Sequence, residues 1–334
     1  MNALPLRHVE LPEATQLAEL LAHPLVQSRV LATIDGLPLY ELQLGPTEAH
    51  CPTLMLTAGV HGNEVIGSQI LLAWLSHLLA QSPWDNHQAH LLSRVRLVIL
   101  PMINVTGLVK GTRATAAGID LMRNAPVEAE GSYRWPLAGQ RLSRHLPWYR
   151  GTALAPENQA LIESLNYWRA RSTFLLAMDL HSGFGMTDRL WFPYAAHTRP
   201  SPHLAEAVAL CDLFNRSYPL HDFYRIEPQS LNYTTHGDIW DYIYLQSQQA
   251  AGAMVLPFTL EMGSWLWLRK NPRQLFRPMG LFHPVLPHRL RRVLRRHWTL
   301  LDFLLRVTAD AQHWLPEGEA RQALHQAGLH KWYG

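Results

Sequence analysis

Six stretches of the chain are nearly continuous in apolar residues and short enough for buried strands. LPLYELQL (37–44), PTLMLTAGV (52–60) and VRLVILPMI (95–103) come first. STFLLAMDL (172–180), the shorter RLWFPYA (189–195) and AMVLPFTL (253–260) follow. Between them, residues 66–80 and 156–170 space their apolar positions as helices do. Strand-length apolar runs alternating with helical stretches predict an α/β protein with a largely parallel, buried sheet. A short leading helix is expected at ATQLAELLAHPLV (14–26), followed by a polar connection. Residues 125–150 have weak periodicity and many turn formers, so a long loop at a functional surface is expected there. Near the end, PHRLRRVLRRHWTLLDFLLRV reads as one amphipathic helix. The expected organisation is an N-terminal extension of helix and strand over 1–45 and a main domain over 46–310. That domain includes the amphipathic helix 287–308, and a C-terminal tail covers 311–334.

Composition narrows the class. The chain has 334 residues, 48% hydrophobic and 16% charged, which describes a globular protein and not a disordered one. A formal charge of +3 gives no whole-protein case for nucleic acid. Cys51 and Cys211 are the only cysteines, so a disulfide framework and a four-cysteine zinc site are both excluded. Any metal must be held by His and carboxylate. No basic start with an uninterrupted apolar run opens the chain, and no stretch approaches about 18 apolar residues. A soluble cytoplasmic protein with neither membrane nor nucleic-acid partner is expected. Arg289, Arg291, Arg292, Arg295 and Arg296 are read as the solvated face of a docked helix.

In open α/β sheets ligands bind beyond the carboxyl ends of the strands. Three of the apolar runs end in groups able to hold or serve a metal: His61-Gly62-Asn63-Glu64, His181-Ser182-Gly183 and Glu261-Met262-Gly263. His61 and Glu64 stand three residues apart, so a helix starting there lets both reach one ion. Two His and one Glu form a known catalytic zinc set, with His181 the third ligand and Glu261 left free as a base. Each group alone is commonplace, but their order on successive strand ends is specific. Arg113 and Arg123, on adjoining loops at the same sheet edge, suit an anionic substrate group or a developing oxyanion. No GxSxG elbow, Walker loop or dinucleotide fingerprint is present.

HGNE, NVTGLVKGTR, GIDLMRN, MDLHSG and FTLEMG stand in the order of the motifs of the zinc carboxypeptidase family, which the chain resembles over roughly residues 50 to 265. WYRGTALAPENQAL is similar to a further family segment. The resemblance extends to the bacterial murein peptide amidases and the succinylglutamate desuccinylase and aspartoacylase group. It implies a mixed, largely parallel twisted sheet of about eight strands between helices. It also implies one Zn2+ held by His61, Glu64 and His181, with Glu261 as general base and proton carrier. Arg113 would stabilise the oxyanion, Arg123 would bind the substrate carboxylate, and Asp120 would orient His61. Tyr242, with Tyr244 in reserve, is the expected active-site tyrosine. The implied substrate is a small peptide, with a murein peptide or an N-acyl amino acid as alternatives, and a catalytically silent binding protein on the same fold is the non-enzyme alternative. Two departures bear on recognition: Met122 replaces the family's Asn beside Arg123, and NVTG replaces NPDG.

Overall fold

The computed structural model describes residues 11–334 apart from 49, 132 and 278, so the first ten residues of the expected N-terminal extension lie outside it. Eight strands form one sheet. They are β1 (Gln27–Ile34), β2 (Leu37–Leu44), β3 (Cys51–Ala58), β4 (Arg96–Leu100), β5 (Ser172–Ser182), β6 (Asp188–Phe192), β7 (Tyr224–Pro228) and β8 (Met254–Met262). Their order is β1-β2-β4-β3-β5-β8-β6-β7. β4, β3, β5 and β8 run parallel at the centre, while β2 and β6 run antiparallel to β4 and β8. The expected mixed, largely parallel sheet is therefore present.

Among the described residues ten α-helices cover it: α1 (Pro12–Leu21), α2 (Val65–Gln81), α3 (Asn86–Arg94), α4 (Val105–Lys110), α5 (Pro156–Arg169), α6 (Leu204–Ser217), α7 (Ile239–Gln249), α8 (Trp265–Lys270), α9 (Pro287–Ala309) and α10 (Gly318–Trp332). Side chains alternate across a strand, so each central strand feeds two cores. Leu54, Leu56, Leu176, Met178, Leu256 and Phe258 join α2, α6 and α9 in the larger core. Met55, Leu175, Ala177 and Val255 join α5 and α7 in the smaller one. Burial on both faces is why these runs lack polar alternation.

The departures have local causes. α1 stops at Leu21 and not at Val26, because Pro24 lacks an N–H and its ring clashes with a preceding carbonyl. β1 and β7 lie at the sheet edges, where exposed polar residues dilute the strand signal. Residues 311–334 are not a free tail. α10 packs on α6 with Gly328 against Leu204 and Val208, and Arg321 pairs with Glu206. Among the described residues, 125–150 carry only one isolated bridge, Gln140 to Tyr149, and Arg150 anchors this loop through Glu128.

His297, on the inward face of α9, is fully enclosed, and the Tyr224 hydroxyl hydrogen-bonds its Nδ1 at 2.9 Å. Burial pushes its pKa down to about 4, against the smaller opposing pull of Asp188. The unfolded imidazole titrates near 6.5, so its depressed folded pKa contributes stability above that pH. This contribution is lost as pH falls toward 4, to a total of about 3 kcal/mol. His297→Gln should therefore lose less stability than wild type between about pH 7 and pH 4.5, read from urea midpoints. Equal losses in both proteins would assign the acid limb to other groups.

Candidate metal centre

β3 delivers the first ligand. Gly59, at φ 69°, turns the chain out of the strand, and α2 starts at Val65, directly after Glu64. Within this turn His61 Nδ1 comes 2.8 Å from Glu64 Oε1. Gly62 is obligatory: a Cβ there would lie 2.0 Å from the carbonyl carbon of Gly107. A Cβ on Gly107 would lie 2.5 Å from the Asn104 amide. HGNE and NVTG are thus pressed backbone to backbone.

β5 delivers the other histidine. His181 Nδ1 lies 3.1 Å from Glu64 Oε2 and 3.2 Å from His61 Nδ1, and all three side chains are buried. The far nitrogens decide the tautomers. His61 Nε2 faces Asp120 Oδ1 at 3.2 Å, and His181 Nε2 faces Asp179 Oδ2 at 2.7 Å. An ionised carboxylate only accepts, so each Nε2 carries a proton, and each Nδ1, turned to Glu64, offers its lone pair once its own proton has left. Two nitrogen lone pairs and a carboxylate then converge with ligand atoms all within 4.8 Å of one another. Three acceptors facing one point, buried, call for a cation. The donor set fits zinc, which takes two His and one Glu in catalytic sites.

The electrostatics add that a metal must displace a proton to bind here. Burial opposes charge on His181, yet Asp179 and Glu64 outweigh it and hold its pKa well above the usual imidazole range. Burial would raise Glu64, but the charge of His61 and hydrogen bonding to both histidines hold it well below the carboxylate range.

Asp179 was not anticipated from sequence, although its spacing two residues before His181 puts both on one face of β5. It also accepts from Thr57 Oγ1 at 2.7 Å and Trp240 Nε1 at 2.8 Å. Asp120 holds His61, accepts from Arg113 Nε at 2.8 Å and from the Met122 amide at 3.1 Å.

Glu261 is placed by strand register. In the β5–β8 ladder it stands directly opposite His181. It is partly exposed yet closely walled by protein, and its pKa is pushed up to about 8, first by burial and then by the charge of Glu64. His181 and Arg113 pull it the other way, as a bound dication would. Arg113 reaches the ligands themselves, donating from Nη1 to Glu64 Oε1 at 3.2 Å.

Arg123 is buried and donates to the carbonyls of Leu137 and Met122, both at 3.1 Å. Among the described residues it forms no ion pair. The Met122 side chain turns into the smaller core and offers the site nothing.

The tyrosine expectation is corrected. The Tyr242 hydroxyl accepts from Gln246 Nε2 at 2.6 Å, and that of Tyr244 bonds His203 Nδ1 at 2.8 Å. Both belong to α7, whose helical turn carries them away from the ligands. Tyr233, in the loop before α7, is a tyrosine set among the charges of the site. Its ring packs on Phe184 and Trp191, and its hydroxyl feels the charges of Arg123, Glu261 and Arg113. Its position ahead of the GDIWDY segment was the available signal.

Comparison with known proteins places this geometry. The zinc carboxypeptidase family model matches residues 23–269. Mast cell carboxypeptidase A of Rattus norvegicus is 25% identical over 245 residues, 66% of this chain. The match spans 56% of that relative, so the chain covers little more than half its length. Carboxypeptidase A from Helicoverpa armigera aligns with a TM-score of 0.65 at 17% identity, over 92% of this chain and 75% of that one. A metallo-carboxypeptidase from Burkholderia cenocepacia gives 0.58 at 18%, over 89% and 68%. These structures share the fold. On the family match, which covers well over half of its residues, this chain belongs to the zinc carboxypeptidase family.

Proposed function

We propose that the protein is a zinc-dependent hydrolase of amide bonds in small peptides bearing a free carboxylate. The observation that carries this reading is the register of β5 and β8, which sets a carboxylate of raised pKa beside a histidine whose lone pair faces the metal position. Zinc, bound by His61, Glu64 and His181, supplies Lewis-acid activation of water at neutral pH. Glu261 then accepts the proton of the attacking water and returns it to the leaving amine. Arg113 donates to the carbonyl oxygen as it becomes negative. Arg123, a buried cation without an ion-pair partner among the described residues, suits the substrate carboxylate. Because Met122 offers no second donor, Arg123 would hold that carboxylate alone. This supports testing N-acyl amino acids and murein peptides beside ordinary peptides.

Purified wild type should hold about one zinc per chain by elemental analysis, and His181→Ala should lose most of it. Asp179→Asn, which keeps the ligands but removes the negative charge facing Nε2–H, should weaken zinc binding roughly 10- to 100-fold in chelator competition. Glu261→Gln should keep its zinc while kcat on a small peptide falls about 100-fold or more. A zinc-loaded wild type inert toward all three substrate classes would overturn the hydrolase reading. Undiminished turnover in Glu261→Gln would remove that residue from the chemistry.

A further inference from the structure

The charge of this chain is unevenly placed. Residues 262–301 contain nine of its 29 Lys and Arg and none of its 26 Asp and Glu. Two of the nine are used internally. Arg296 pairs with Asp188, and Arg289 donates to the carbonyls of Trp267 at 3.1 Å and Lys270 at 3.3 Å. The Arg289 contacts close the C-terminal end of α8 and hold the first turns of α9 against it. The remaining seven cations therefore belong to adjoining elements. Arg269, Lys270, Arg273 and Arg277 are exposed on α8 and the turn after it. Arg291, Arg292 and Arg295 form an exposed stripe of α9, three and four residues apart, opposite buried Val293 and Leu300. None of the seven forms an ion pair among the described residues.

Large apolar side chains project from the same place. Phe276 is 89% exposed and Leu275 55%, directly between Arg273 and Arg277, and Trp265 at the start of α8 is 47% exposed. Scattered exposed hydrophobes need no explanation, but two adjacent ones ringed by unpaired cations do. No single helix among the described residues is long and apolar enough to cross a membrane. A projecting apolar tip within a cationic ring is suited instead to lying at a bilayer surface. The tip enters the headgroup and acyl boundary while the cations meet anionic headgroups. A nucleic acid would use the charge and could stack on Phe276, but gives Leu275 no partner. The protrusion is also fastened to the metal centre. Trp265 Nε1 donates to Gly183 O at 2.9 Å, and Ser182 Oγ to Phe282 O at 2.8 Å, both within two residues of His181.

We infer that α8, the described residues of the turn after it and the first turns of α9 form an interfacial dock for an anionic lipid surface, which goes beyond the expectation of a solvated arginine face and holds the metal centre close to the bilayer. The full chain, zinc-loaded, would be sedimented with vesicles of phosphatidylcholine alone and with vesicles also containing phosphatidylglycerol. Binding is expected only to the anionic vesicles and should weaken as salt rises. Replacing Arg291, Arg292 and Arg295 together by Gln should reduce binding about 100-fold. Leu275→Ser with Phe276→Ser, which leaves every charge in place, should reduce it about tenfold. Both variants should keep wild-type zinc content. Three results would overturn the proposal: no binding by wild type, equal binding to both vesicle types, or full binding by the Leu275/Phe276 variant. If that variant also keeps tight binding to a mixed-sequence oligonucleotide, the surface belongs to nucleic acid.

Discussion

Two buried imidazoles turned with their Nδ1 atoms toward each other are the constraint around which this molecule is arranged. Without a proton or a cation between them, His61 Nδ1, His181 Nδ1 and the Glu64 carboxylate would place acceptor against acceptor where water cannot intervene. The arrangement persists because each ring is fixed from behind. Asp120 fixes one and Asp179 the other, and each carboxylate is itself held by further donors. The tautomers are thus set by the protein before any metal arrives, which limits the reorganisation that binding requires.

The sheet supplies this arrangement through the two-residue alternation of its strands. On the face shared with α5 and α7, the central strands carry the apolar Met55, Leu175, Ala177 and Val255. Beyond those points the same face continues as Thr57, Asp179 and His181, and Glu261. Thr57 is opposite Asp179, and His181 opposite Glu261, in the ladders. One stack of side chains therefore changes from core to chemistry at the carboxyl ends of the parallel strands. The general rule for open α/β sheets places ligands there as well.

Much of this was legible in the sequence. The central strands are buried on both faces, so they wrote themselves as unbroken apolar runs, and the groups ending them named the ligands and Glu261. The edge strands β1 and β7 were hidden because solvent tolerates QSRVLATI and YRIEP equally well as loop. α10 was hidden because it docks on α6 through a glycine, Gly328, and not through an apolar stripe. Asp179 was readable from the strand period. Tyr233 needed the boundary of α7, since a reading of GDIWDYIY as loop leaves Tyr242 free to reach the site. The helix that forms there buries Trp240, Ile243 and Tyr244 instead.

The contact between Gly62 and Gly107 gives the recess two walls of unlike stiffness. On one side, main chain lies against main chain, so the segments bearing His61, Glu64 and Arg113 are a single unyielding block. Near Glu261, whose charge Tyr233 feels, Phe184, Trp191, Tyr233 and Trp265 meet as a cluster of rings held by side-chain packing. Selectivity in such a cleft is divided. The chemistry is cast in backbone and resists drift, whereas the range of shapes admitted is free to be retuned one aromatic side chain at a time.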